Sequence, residues 1–195
     1  MMGVELENQT KLDRTIEAAC ILATVALRQG DQVSLIAFSD QIKAYVPFGK
    51  GMSHLNLILE SIYSLSSDFV ESNYQITFEM LQRHHKKRSF MVLFSDMENY
   101  LFEKHLAPTL SRFRRQHLLL LLSLRDPVLY QWTQKHIESS QDAYIKSLAY
   151  KFSMDRHEYT TKMASNGIRV LDVPANQLAL STLNSYLEAK ARDIL

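Results

Sequence analysis

Residues 117–124 read HLLLLLSL, and this run constrains the fold more than any other part of the chain. It is far shorter than the roughly 20 apolar residues that span a bilayer. A short apolar run without a polar face is typical of a strand that helices cover on both sides. Residues 88–96, RSFMVLFSD, form a second run of this kind. Two such strands predict a largely parallel sheet buried between helices.

Segments with helical periodicity separate the predicted strands. Thr10 is placed as the N-cap of a helix that begins at Lys11. Ser53 is predicted to cap a second helix, and the pair Ser72-Asn73 a third. Further helices are predicted over about 103–115, 129–135 and 140–165, and from about residue 176 onward.

Three more strands complete the predicted order. Residues 32–38 and 42–48 read as a hairpin around Ser39-Asp40-Gln41, and Pro47 places its second strand at an edge. Residues 168–173 form the last strand. The sequence therefore predicts one α/β domain over residues 1–195, with a doubly wound, mainly parallel sheet, helices on both faces and one antiparallel edge hairpin.

The predicted order begins in an unusual way, because no strand is predicted before the helix at Lys11. In doubly wound domains each crossover helix follows a strand. We therefore expect that the opening strand of the domain is missing from this chain. The strands over 32–38 and 88–95 would then either close up against each other or expose unpaired edges that favour aggregation. An unstable or oligomeric protein is expected as a result.

Composition narrows the classes of partner. The formal net charge is +1, so no electrostatic argument for nucleic acid or an anionic membrane arises. The single cysteine, Cys20, cannot form an internal disulfide, which fits a reducing cytoplasmic location.

Candidate functional side chains lie where ligands bind in parallel sheets, beyond the carboxyl ends of the strands. Asp96 ends a buried strand, and Ser72 lies in the loop before the third helix. A hydroxyl and a carboxylate are oxygen ligands that Mg²⁺ accepts. The alternative, which spacing alone favours, is that both residues only cap a helix or a turn. Further candidate residues at the carboxyl ends of the strands are Asn73, Ser95, Glu98 and Asp126. Asp126 is also placed to cap the following turn.

The sequence contains no pattern of a known catalytic centre. HHKKR at 84–88 is interpreted as a solvated helix end, since adjacent histidines point about 100° apart on a helix and make a poor ligand pair. No HExxH, GxSxG or Cys/His cluster occurs, and no nucleophile with a matching base can be named. The residues therefore do not predict an enzyme.

Several segments together resemble a known family. They are TKLDRTIEAACILATVALRQGDQVSLIAFSDQIKAYVPFGKG, FVESNY, KRSFMVLFSDMEN, LLLSLRDP and LNSYLEAKARDIL. In this order they are similar to bacterial proteins of the "domain of unknown function 58" family, which are related to von Willebrand factor type A domains. The resemblance extends over essentially the whole chain and implies the type A fold.

The resemblance also implies a metal-ion-dependent adhesion site at the carboxyl ends of the strands. The family's hydroxyl ligand matches Ser72, and its later aspartate matches Asp96. A D-x-S-x-S stretch is expected just before the first helix. The corresponding place in this chain is Met1-Met2-Gly3 and what should precede them, and neither the aspartate nor the serines are present. The chain is thus expected to be the C-terminal half of a family member, a single type A domain missing its first central strand. Half a site remains, and Mg²⁺ is expected only in the intact parent.

The resemblance further implies that this chain is a non-enzymatic protein-interaction or adaptor module. The genes of family members neighbour those of MoxR-type AAA+ ATPases, so such an ATPase is the expected partner in assembling or activating other proteins. The partner is expected to bind at the carboxyl ends of the strands, near Ser72 and Asp96. Full-length relatives are membrane-anchored, whereas a cytoplasmic location is expected for this chain. One alternative is a metal-dependent hydrolase on a similar α/β sheet, for which Asp96, Glu98 and Asp126 provide carboxylates without a clear partner set. The other is a non-functional gene fragment.

Overall fold

The computed structural model describes residues 5–6, 9–66, 70, 72–95 and 103–192. The strands are β1 (Glu5–Leu6), β2 (Gln9–Thr10), β3 (Val33–Phe38), β4 (Ile42–Gly49), β5 (Phe90–Ser95), β6 (Leu118–Arg125) and β7 (Arg169–Pro174). The helices are α1 (Lys11–Arg28), α2 (Gly51–Tyr63), α3 (Tyr74–His84), α4 (Glu103–Gln116), α5 (Pro127–Gln134), α6 (Ser140–Ser165) and α7 (Leu178–Ala191). A short 3₁₀ turn, Ala175–Gln177, precedes α7.

The parallel sheet forms where the apolar runs predict it. β6 lies between β5 and β7 and is parallel to both. Successive side chains of a strand point to opposite faces of the sheet. Accordingly, Leu119 and Leu121 belong to one buried cluster, whereas Leu120, Leu122 and Leu124 belong to another. An uninterrupted apolar strand is what this two-sided burial requires.

Helices cover both faces of this sheet. On the first face, Phe78 of α3, Phe113 of α4 and Met163 of α6 complete the cluster around Leu119. On the second face, Ala18 of α1 and Leu178 of α7 complete the cluster around Leu120. The predicted α/β class is confirmed, with a parallel three-stranded sheet, an antiparallel two-stranded sheet and seven helices in the part of the chain described.

The predicted hairpin is also present, but it does not extend the parallel sheet. β3 and β4 pair antiparallel, and the Ser39 amide donates to the Gln41 carbonyl at 2.9 Å in the turn. In the described residues this pair is a sheet of its own. A third cluster, which includes Val46 and Ile58, packs the hairpin against α1 and α2. β3 and β5 do not pair, so these two strands have not closed up against each other.

The beginning of α1 is confirmed at its predicted residue. The Thr10 hydroxyl accepts from the Asp13 amide at 3.1 Å, and the Asp13 carboxylate accepts from the Thr10 amide at 2.8 Å. These reciprocal bonds form a capping box. The prediction that no strand precedes this helix is wrong, because two strands of two residues each, β1 and β2, come before it. They pair antiparallel, with Glu5 opposite Thr10.

The beginning of α2 differs from the prediction of a Ser53 cap. The helix begins at Gly51, after Lys50, whose side chain makes no capping hydrogen bond. Gly51 has a φ of +82°, a backbone conformation that glycine adopts without the steric cost other residues meet. A backbone turn, rather than a capping side chain, therefore decides where α2 begins.

Candidate functional site

The carboxyl ends of β3 and β5 meet at the beginning of α3. The Asn73 amide, one residue before α3, donates to the Ser39 carbonyl just after β3 at 2.7 Å. The hydroxyls of Tyr74 and Ser95 lie 2.7 Å apart, which ties the first residue of α3 to the last residue of β5. We call the set Ser39, Asp40, Asn73, Tyr74 and Ser95 the rim.

The structure assigns local roles to several of the predicted site residues. Ser72 is partly buried in the loop before α3. Asn73, rather than Ser72, caps α3, because its side-chain oxygen accepts from the Ile76 amide at 3.2 Å. Asp126 caps α5 by accepting from the amides of Val128 and Leu129 at 2.8 and 3.3 Å. These contacts agree with the capping alternative for Asn73 and Asp126.

The remaining site predictions concern the end of β5. Ser95 is buried, with 7% of its surface exposed, and its hydroxyl is engaged with Tyr74. Asp96 and Glu98 lie outside the described residues. The pairing of Ser72 with Asp96 as metal ligands therefore stays a prediction.

Sequence reasoning missed three contributors to the rim, Ser39, Asp40 and Tyr74. Asp40 is in the hairpin turn, and the Ser39 hydroxyl donates to its carboxylate at 2.7 Å. That hydrogen bond lowers the pKa of Asp40 below its usual value and keeps the side chain anionic. A signal was present in the sequence, since the tripeptide FSD occurs twice, at 38–40, where β3 ends with Phe38, and at 94–96, where β5 ends with Ser95.

The described rim on its own is a poor fit to Mg²⁺. Mg²⁺ demands near-octahedral oxygen coordination and is usually held through one or two carboxylates. The Ser95 hydroxyl and the Asn73 side-chain oxygen already have protein partners. Among the described residues, no group of three or more His, Cys, Asp or Glu side chains could hold a metal ion.

We therefore expect millimolar Mg²⁺ to change the melting temperature of this chain by no more than about 1 °C. A ligand that binds only the folded state stabilises it by an amount that grows with the logarithm of one plus the ratio of ligand concentration to dissociation constant, so weak binding gives almost no shift. Differential scanning fluorimetry with Mg²⁺, and with Ca²⁺ as a size control, measures this. A rise of several degrees with Mg²⁺ that Asp96→Ala abolishes would show that the residues of this chain suffice for a metal site.

The HHKKR segment is only partly the solvated helix end that was predicted. His84 is exposed, but His85 is only 3% exposed and its ring contacts Phe48, with centroids 4.6 Å apart. His117, just before β6, is equally buried and stacks on Phe113 at 5.7 Å. Nε2 of His85 and both ring nitrogens of His117 have no hydrogen-bond partner in the described part of the chain. Burial lowers the pKa of both imidazoles, because it penalises the charged form.

Comparison with known proteins adds one finding to this geometry. The family model described as "Protein of unknown function DUF58" matches residues 4–135. The chain belongs to the DUF58 family. The matched range includes β3, β5 and β6 and every residue of the rim.

The DUF58 match is shorter than the resemblance expected from the sequence. That resemblance extended to LNSYLEAKARDIL at the C-terminal end, whereas the family model ends at residue 135, before α6, β7 and α7. No curated protein and no solved structure matches the chain. None of the helices in the described residues combines the length and apolar character needed to cross a membrane.

Proposed function

We propose that this DUF58 chain is a non-enzymatic protein-interaction module whose partner is a MoxR-type AAA+ ATPase. The observation that carries the proposal is an apolar stripe on the outer face of α2, within the family match. The stripe consists of Met52, Leu59 and Tyr63, which are 50%, 41% and 93% exposed.

The spacing of the stripe explains why it is exposed. Residues 52, 59 and 63 of a helix with 3.6 residues per turn lie within a narrow angular sector. Leu55, Ile58 and Ile62 lie on the adjacent side of the helix, about 90° away from the stripe, and are buried against the hairpin and α1. The stripe thus widens the apolar side of α2 beyond the part that the hairpin and α1 cover. An exposed apolar stripe marks a protein contact, and aromatic residues dominate the energetics of such contacts.

The proposal predicts that Tyr63→Lys weakens binding to a purified MoxR-type AAA+ ATPase by at least about tenfold. Calorimetric titration measures the affinity. Leu57→Lys is the matched control, because Leu57 is also exposed, at 56%, but lies on another side of α2. Both variants should unfold within about 0.5 kcal/mol of the unmodified protein, since neither side chain is in the core. Equal affinities for Tyr63→Lys and the unmodified chain would contradict the proposal.

An enzyme assay separates this proposal from the hydrolase alternative. We expect no turnover of generic phosphate or carboxylate esters, with or without Mg²⁺. Sustained Mg²⁺-dependent hydrolysis that Asp96→Ala abolishes would replace the interaction module by a metal-dependent hydrolase. Asp126→Ala serves as control there, because the Asp126 carboxylate is occupied by the amides of α5.

A further inference from the structure

The amino ends of β5 and β6 carry a cluster of exposed cations. Lys86, Lys87 and Arg88 lie in the link between α3 and β5. Arg112 and Arg115 lie near the end of α4, shortly before β6. All of these side chains are exposed. We call this set of residues the basic end.

Hydrogen bonds hold the two parts of the basic end side by side. The side-chain amide of Gln116 donates to the Lys86 carbonyl. The Leu118 amide donates to the Ser89 carbonyl at 2.9 Å, where β5 and β6 begin to pair. Arg112 is four positions before Gln116 and therefore lies on the same side of α4, towards the link. The cations thus form one surface, although they come from two segments of the chain.

In the described part of the chain, no carboxylate balances this positive charge. Residues 80–95 and 104–125 contain lysines and arginines but no aspartate or glutamate. Among the described residues, no cation of the basic end forms an ion pair. Carboxylates near the starts of β3 and β7 already have partners, since Asp31 pairs with Lys190 and Glu188 pairs with two arginines. The charge of the basic end is therefore left uncompensated.

The helix dipole explains only part of this cluster. Cations in the last turn of a helix are stabilised by the partial negative charge of its terminal carbonyls, which applies to Arg115. Lys86, Lys87 and Arg88, by contrast, lie outside the helices. Like charges that are grouped in this way repel one another and destabilise the compact state. A bound anionic partner relieves that repulsion.

The surroundings of the cations favour carboxylates of a polypeptide over other polyanions. Guanidinium groups bind carboxylates through two parallel hydrogen bonds, and the basic end is rich in arginine. Phe113, between Arg112 and Arg115, is buried, so residues 86–88 and 112–116 expose no apolar side chain that could insert into a membrane. The same two stretches expose no aromatic ring on which a nucleic-acid base could stack.

We propose that the basic end binds an acidic segment of a partner polypeptide, with about four to six consecutive aspartate or glutamate residues. An extended segment of that length spans roughly 13–20 Å at about 3.3 Å per residue, enough to contact both the link and the end of α4. The surface lies at the opposite end of β5 from Ser95, so a segment bound there leaves the rim open. The inference goes beyond the proposed function, since the basic end shares no residue with the α2 stripe.

A peptide titration with the full chain tests the proposal. The probe is a fluorescein-labelled peptide with about six consecutive glutamates, and the control peptide has glutamines in their place. Fluorescence anisotropy measures binding at low and at physiological salt. We expect the glutamate peptide to bind at least about tenfold more tightly than the glutamine peptide at low salt. Its affinity should fall as the salt concentration rises, because salt screens exposed charges.

Charge-reversal variants locate the contact. Lys87→Glu and Arg115→Glu should each weaken binding of the glutamate peptide by at least about fivefold, since each removes a cation and adds a like charge. Lys151→Glu is the matched control, because it makes the same change in net charge at an exposed position in the middle of α6. It should leave the affinity within about twofold. Lys87 lies outside the helices and strands, so its variant keeps the test decisive even if Arg115→Glu disturbs the end of α4.

Three results would overturn the proposal. Equal affinities for the glutamate and glutamine peptides would show that carboxylates are not recognised. Equal losses from Lys87→Glu, Arg115→Glu and Lys151→Glu would mean that net charge, rather than the basic end, sets the affinity. Tighter binding to phosphatidylglycerol vesicles or to a DNA duplex than to the glutamate peptide, lost in Arg115→Glu, would assign the surface to a membrane or to nucleic acid.

Discussion

Replacing Arg156 with leucine should lower the free energy of unfolding by about 2–4 kcal/mol, because it breaks a largely buried ion pair. Nη2 of Arg156 lies 2.6 Å from the Ser123 hydroxyl, 2.7 Å from the Leu124 carbonyl and 2.6 Å from the Asp172 carboxylate. The side chain is only 16% exposed, and it joins α6 to the carboxyl ends of β6 and β7. Its loss leaves Ser123 and Asp172 without their main partner. The melting temperature should fall by roughly 5–15 °C in differential scanning calorimetry.

Arg125 provides the matched control for this substitution. It contacts the same carboxylate at 3.5 Å, but its side chain is 42% exposed. Surface ion pairs contribute about 1 kcal/mol or less, so Arg125→Leu should cost no more than that. Equal losses from the two variants would mean that burial does not set the strength of the Asp172 contacts.

Acidification from pH 8 to pH 5 should destabilise the protein through His85 and His117. Their pKa values in the folded state lie below the ordinary 6.5, chiefly because burial disfavours the charged imidazole. Below about pH 6.5 the unfolded chain binds more protons than the folded one, so stability is full above that pH and is lost as the pH falls towards the folded-state values. The slope approaches about 1.4 kcal/mol per pH unit for each histidine. Urea unfolding across the range measures it.

Phenylalanine substitutions identify the source of this pH dependence. His117→Phe keeps an aromatic ring against Phe113 and removes two buried nitrogens that have no partner in the described residues. The variant should match or exceed the unmodified protein at pH 8 and should lose less stability at pH 5. His85→Phe should act in the same direction, and the double variant should be the least pH-dependent. An unchanged slope in the double variant would assign acid sensitivity to other groups.

The sequence predicted correctly those features that depend on residues close together in the chain or on a continuous apolar pattern. The run 117–124 has no polar face, and β6 is buried on both sides as that requires. The capping box at Thr10 and the cap at Asp126 use side chains within three residues of the amides they satisfy. The beginning of α2 was not predictable in this way, because the backbone conformation of Gly51 decides it.

The rim was predictable in outline, since parallel strands bring their carboxyl ends to one edge. Which residues meet there was not. The hydroxyl of Tyr74 contacts that of Ser95, 21 positions away in the chain. Asp40 joins the rim because the Ser39 carbonyl accepts from Asn73, a pairing that no local pattern encodes. His85 and His84 are adjacent in the chain, but tertiary packing buries only one of them.

By itself the sequence determined the α/β class, the parallel strands and the caps of α1 and α5, because periodicity and capping depend on residues close together in the chain. Only the tertiary structure decided that, in the described residues, the hairpin forms a sheet of its own and that Tyr74 contacts the last residues of both β3 and β5. Strand pairing depends on hydrogen bonds between distant segments, and local periodicity does not specify which edges meet. The same holds for the rim and the buried histidines, whose properties arise from neighbours that packing supplies.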